Sequence, residues 1–177
     1  FDGYVEVPAR VSSTALVHLQ RNRYSVPSEH AHEVVSLRLY PDRLEIVAEN
    51  VRVASHVRSF ERSQTFYDWR HYVTLIERKP GALRNGAPFE TLPEPLRKLQ
   101  AILLRHEGGD RVMAQVLAAV PVHGLDAVLV AAQLALEAGK PSGEHVLNVL
   151  ARLKAPGDGA CLEVASTPLK LAVEPLA

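Results

Sequence analysis

Between Asn22 and Arg58 the chain reads NRYSVPSEHAHEVVSLRLYPDRLEIVAENVRVASHVR, and much of it alternates apolar with polar side chains. Successive side chains of a strand point to opposite faces, so a period of two marks half-buried strands and excludes helix here. Val35, Leu37 and Leu39 alternate with Ser36, Arg38 and Tyr40. Pro41-Asp42 breaks the run, and Leu44 and Ile46 then alternate with Arg43, Glu45 and Val47, the pattern of two strands joined by a tight turn. After Glu49-Asn50 a third run puts Val51, Val53, Ser55 and Val57 on one face and Arg52, Ala54, His56 and Arg58 on the other. The expectation is a small antiparallel β-barrel with a basic stripe outside.

Upstream, Tyr4, Val5 and Val7 end at Pro8 and read as an edge strand or a linker. Leu16 to Leu19 reads as a first barrel strand, and Arg21-Asn22-Arg23 as a turn into Tyr24-Ser25-Val26. Pro27 ends pairing there because it has no N–H to give the ladder. His30 and His32 form an H-x-H pair that could hold zinc, but no third ligand lies at metal spacing, which favours a solvated loop.

Beyond Arg58 the period shifts towards 3.6. Phe66, Trp69, Val73 and Ile76 fall on one helical stripe, with Asp68 placed to cap the helix and Pro80-Gly81 to stop it. Such a stripe could stack on bases, but at helical spacing core is the better reading. Asn85-Gly86 and Pro88 mark an irregular boundary. Four helical segments follow: 93–106 with Leu96, Leu99 and Leu103 inward; 110–120 with Asp110 as N-cap; 125–138, the most buried; and one capped by Ser142 carrying Val146, Leu150 and Leu153. The fold class expected is thus α+β with its parts segregated: a barrel over residues 1–62, a linking helix and loop over 63–91, a helical bundle or α-hairpin array over 92–154, and an extended tail over 155–177. The tail has few charges and regular prolines, which suits addition to a partner's surface.

Charge limits the candidate partners. Twenty basic residues face twenty acidic ones, so attraction of the whole surface to nucleic acid is excluded and any DNA contact must come from local clustering. Arginine outnumbers lysine fifteen to five, which suits bidentate phosphate contacts and carboxylate pairing alike. The single cysteine, Cys161, rules out an internal disulfide framework and fits a reducing cytosol. No apolar run is long enough to cross a membrane, and no signal-peptide pattern is present. The start at Phe1-Asp2-Gly3 reads as the middle of a protein, so a C-terminal fragment is expected.

No catalytic constellation stands out. There is no phosphate-cradling G-x-x-x-x-G-K loop, no G-x-S-x-G elbow, no H-E-x-x-H and no cysteine cluster. Glu29, Glu33, Asp42, Glu45, Glu49 and Glu61 are scattered, with no spacing that promises a two-metal carboxylate site. Catalytic and metal-binding residues are therefore expected to be absent, and a free-standing enzyme is set aside.

Asn22 to Pro27, the strand meander and Val53-Ala54-Ser55-His56-Val57-Arg58 together resemble the C-terminal β-barrel that follows the catalytic domain in transposases and retroviral-type integrases. More narrowly, Arg78-Lys79-Pro80-Gly81-Ala82-Leu83-Arg84-Asn85-Gly86-Ala87-Pro88-Phe89 and Gly108-Gly109-Asp110-Arg111 resemble the IstA transposases of bacterial insertion sequences. These segments cover most of residues 15–153. The resemblance implies a DDE transposase whose carboxylates and divalent metal (Mg) lie upstream, so no catalytic residue carries over. It further implies binding to transposon-end DNA, a transposase homo-oligomer across paired ends, an IstB-type AAA+ ATPase partner, and a bacterial cytoplasmic location at the nucleoid. The residues expected on DNA are Arg21, Arg23, Arg52, His56 and Arg58, extended by Arg62 and Arg70, touching phosphates without reading bases. Two alternatives stay open. These arginines could pair with Glu45, Glu49 and Glu61, and the region could be a protein–protein module that recruits the ATPase or a second transposase.

Overall fold

The computed structural model describes residues 3–154, so the expected tail over 155–177 and Cys161 lie outside the described residues. Two small sheets precede a set of helices. The first has the order β1 (Val5–Arg10), β4 (Val34–Leu39), β5 (Arg43–Ala48), β6 (Val51–Val57), antiparallel throughout. The second has the order β2 (Leu16–Leu19), β3 (Asn22–Ser25), β7 (Thr65–Phe66), with β7 parallel to β3.

The hairpins explain why the chain doubles back where it does. In β5–β6, Ala48 pairs with Val51 across Glu49-Asn50, and both turn residues have positive φ (49° and 64°). That backbone matches the twist of the flanking strands. The β2–β3 turn is of the same kind but falls at Gln20-Arg21 (φ 49° and 69°), not at the expected Arg21-Asn22-Arg23. Between β4 and β5, Pro41-Asp42 forms the turn under a Tyr40–Arg43 backbone bond of 2.9 Å. Pro8 sits on β1, the edge strand, where a missing N–H is tolerated.

Both sheets share one core. Val35 and Leu37 of β4, Leu44 and Ile46 of β5 and Ala54 of β6 pack with Val17 of β2, Tyr24 of β3, Val11 and Val26. The α+β class holds, but the ladders form two separate sheets, so the expected small β-barrel is corrected to two sheets packed on one core. Alternation reveals which face is inward; it carries no information on whether sheet edges meet.

After β7, the expected helix from Phe66 is instead a short strand, a 3₁₀ turn over Trp69–Tyr72 and helix α1 (Val73–Arg78). Asp68 does cap that turn, its side chain accepting from the Arg70 N–H at 3.0 Å. The helical part comprises α2 (Glu94–Leu103), α3 (Gly109–Ala118), the single turn α4 (Val120–His123), α5 (Leu125–Glu137) and α6 (Gly143–Lys154). Its core runs continuously from Trp69, Tyr72 and Ile76 through Leu96, Leu99, Met113 and Leu117 to Ala131, Val146 and Leu150. The aromatic stripe is therefore core, apart from Phe66, which packs on the sheet core. Gly108, not Asp110, is the N-cap of α3, and it adopts the left-handed region (φ 74°). Helix α5 buries Val128, Ala131, Ala132 and Ala135 but leaves Val130 and Leu134 exposed, so it is buried on one stripe only.

Candidate nucleic-acid interface

Strand β3 organises the site from both of its faces. Asn22, buried at 1% exposure, uses its whole carboxamide on the segment that connects β6 to β7. Its Nδ2 donates to the carbonyls of Ser59 (3.0 Å) and Glu61 (2.6 Å), while its Oδ1 accepts from the Gln64 N–H (3.0 Å). Backbone bonds from Arg23 N–H to Gln64 O (2.9 Å) and from Ser63 N–H to Arg21 O (3.1 Å) lay that segment along β3. Arg21, Arg23 and Arg62 therefore stand on two backbone segments that run side by side, with His18 paired across the ladder from Arg23. All three arginines are exposed, and among the described residues none has an ion-pair partner.

The other four residues expected on DNA are placed differently. A β-bulge interrupts β5–β6: Ile46 pairs with Ala54 but Val47 pairs with Arg52, so Val53 is the extra residue. A bulge shifts the side-chain phase by one. Arg52 therefore lies on the outer face beside Glu45 (3.3 Å), whereas Ala54 and His56 turn inward. The expected continuous outer stripe of Arg52, His56 and Arg58 is thus split, and Val57 is the residue left outside, 80% exposed. Arg58 donates to the Tyr40 carbonyl (2.9 Å) and to Gln20 Oε1 (3.4 Å). Arg70 remains exposed but shares its charge with Asp68 at 3.5 Å.

On that outer face Glu45 is nearly buried and lies between Arg43 (3.1 Å) and Arg52. The hydrogen bond from Arg43, with support from Arg52, holds its carboxyl below the usual range despite desolvation. Arg38 faces Glu6 at 3.6 Å on the neighbouring strands. Carboxylate pairing, the alternative open from sequence, therefore holds for Arg52 and not for Arg21, Arg23 or Arg62.

Ser25, fully buried, joins the sheets to the helices. Its hydroxyl accepts from the Asp68 N–H (2.8 Å) and shares a hydrogen bond with His71 Nδ1 (2.8 Å) whose direction is set by the imidazole tautomer. Its carbonyl accepts from His56 Nε2 (2.7 Å). Burial lowers the pKa of His56, and it takes His71 down to about 4, the nearby Asp68 opposing and His56 and Arg70 reinforcing the shift. Ser25, His71 and Asp68 are not a hydrolytic relay: the hydroxyl has no solvent access, and Asp68 directs its carboxylate to Arg70. Neither Asn22 nor Ser25 was singled out by sequence reasoning. For Asn22 the available signal was a polar side chain in phase with Tyr24 and opposite to exposed Arg23; Ser25, in phase with Arg23, carried none.

Among the described residues no three His, Cys, Asp or Glu side chains come together as a metal site, and no helix is long and apolar enough to cross a membrane.

Residues 1–68, which include both sheets up to β7, match the Mu transposase C-terminal domain family. Over 158 residues, 86% of this chain, the sequence is 54% identical to a transposase for insertion sequences IS1326/IS1353 of Pseudomonas aeruginosa, and equally to one so named from Shigella flexneri. A transposase of Aminobacter aminovorans matches at the same identity and length. The chain spans 31% of the length of these curated relatives. No solved structure matches. The likenesses are thus to insertion-sequence transposases and, over residues 1–68, to a transposase C-terminal domain family.

Proposed function

We propose that this region is the non-catalytic C-terminal part of an IstA-type DDE transposase, and that its β3 side binds transposon-end DNA while transposase copies assemble across paired ends. The observation that carries the reading is the set Arg21, Arg23 and Arg62, exposed and without carboxylate partners among the described residues, on a chain of zero net charge. Unpaired guanidiniums fixed by a backbone ladder can meet successive phosphate oxygens in any sequence, so they position the protein without specifying bases. In this reading strand cleavage and transfer, with the divalent metal they require, belong to carboxylates of an upstream domain. The residues here hold the DNA for that step.

A second reading, recruitment of an IstB-type AAA+ ATPase or a second protomer without DNA contact, is favoured by a different surface. Val130 (51% exposed) and Leu134 (44%) on α5 and Leu153 (53%) on α6 leave apolar area uncovered on the helices. Ionic strength separates the two, since phosphate contacts release counterions and an apolar interface does not. The test is fluorescence anisotropy of the chain on a labelled terminal-repeat duplex and on a scrambled duplex, from low to physiological salt. Binding that weakens steeply with salt and is equal on the two duplexes supports the DNA reading. No binding at low salt removes it in favour of the partner surface.

A further inference from the structure

Phe60 stands in the middle of the segment that Asn22 holds, and it is 71% exposed. The carbonyls on either side of it, Ser59 and Glu61, both accept from Asn22 Nδ2 (3.0 and 2.6 Å). The Ser59 N–H also donates to the Tyr24 hydroxyl (3.2 Å). One side of the ring is met by the Arg58 guanidinium, 4.8 Å from the centroid, and that guanidinium is itself fixed by the Tyr40 carbonyl. A buried carboxamide and a buried tyrosine thus hold the backbone around an aromatic ring that the fold leaves in solvent. The ring is thus held in a set position although it is 71% exposed, and exposure gives it no burial energy. The unpaired Arg21 and Arg62 lie along the same segment.

We infer that Phe60 is a stacking platform for an unpaired base of the bound DNA, with the neighbouring arginines on its phosphates. The inference rests on the DNA reading above and adds the state of the substrate. A base in an intact duplex has both faces covered by its neighbours, so an exposed ring finds a partner only where the strand is frayed, overhanging or distorted. Every base offers a π-face, so the contact is tolerant of sequence, as the phosphate contacts are. Arg58 behind the ring adds a cation to the stack.

The test compares the 177-residue chain on a blunt duplex and on the same duplex with a short single-stranded overhang, by anisotropy at one low salt concentration. The overhang should bind roughly tenfold tighter, within the range that one stacked base supplies. Phe60→Ala should bring overhang affinity down to that of the blunt duplex, and Phe60→Trp should keep the preference. Equal binding of both DNAs by the unaltered chain overturns this inference while leaving the DNA reading standing. So does a preference that survives Phe60→Ala. If neither DNA binds, both readings fall. A Phe60→Ala variant that leaves DNA binding untouched but loses self-association by light scattering reassigns the ring to a protein contact.

Discussion

Asn22 shows how much of the site depends on one polar side chain. Replacing it with alanine strips three part-buried hydrogen bonds from the backbone of Ser59, Glu61 and Gln64, and leaving such groups unpaired costs on the order of 1–3 kcal/mol. Asn22→Ala should therefore lower the unfolding free energy from urea titration by about that much and loosen Phe60 and Arg62; an unchanged value would mean that the carboxamide does not brace the segment. The sequence placed Asn22 in a turn because asparagine favours turns, but the turn residues are Gln20 and Arg21, neither a usual signal for positive φ. His71 supplies a pH prediction. Its folded pKa of about 4 lies below the ordinary 6.5, so between those values the unfolded chain binds more protons and stability rises with pH. The contribution is whole above about pH 6.5 and is lost as pH falls towards 4. Depressed Glu45 adds its own loss only below its ordinary 4.5. Urea midpoints should thus decline from pH 6.5 to 4.5 in the unaltered chain and decline less in His71→Gln; equal slopes would remove His71 as the cause.

At the scale of elements, legibility followed local regularity. β4 and β5 were visible because the alternation is regular in Val35–Leu39 and again in Arg43–Ile46, and Pro41-Asp42 marks the turn between them. The face of β6 was not, because the bulge at Val53 is a two-against-one pairing that no strict alternation encodes. Phe66 was drawn into a helix by spacing that Trp69, Val73 and Ile76 genuinely share; pairing with Tyr24, whose ring it stacks at 5.0 Å, overrode the local pattern. The helices were legible from Gly and Pro punctuation, and the glycines have reasons beyond flexibility. A Cβ on Gly109 would lie 1.8 Å from the Leu103 carbonyl oxygen, so α2 and α3 could not approach as they do. Gly109→Ala should destabilise by about 1–3 kcal/mol in denaturant titration. Gly81→Ala, with nothing within 4 Å of the added carbon, should stay within about 0.5 kcal/mol. Similar losses for the two would contradict the close packing of α2 on α3.

For the whole molecule, zero net charge forces the distribution of charge to decide what the surface can do. The four-stranded sheet spends its arginines internally, on Glu6 and Glu45, while β3 and the segment beside it leave Arg21, Arg23 and Arg62 without an ion-pair partner among the described residues. Composition and spacing could not separate these two groups, since pairing depends on strand order and on the bulge. The measurement that bears most directly on the account is the salt dependence of duplex binding for the unaltered chain, Arg21→Ala/Arg23→Ala/Arg62→Ala and Arg52→Ala. Each lost phosphate contact should reduce the slope of log affinity against log salt by about 0.9, so the triple variant should lose roughly two to three units and Arg52→Ala almost none. A triple variant that keeps the original affinity and slope would contradict the assignment of this face to DNA.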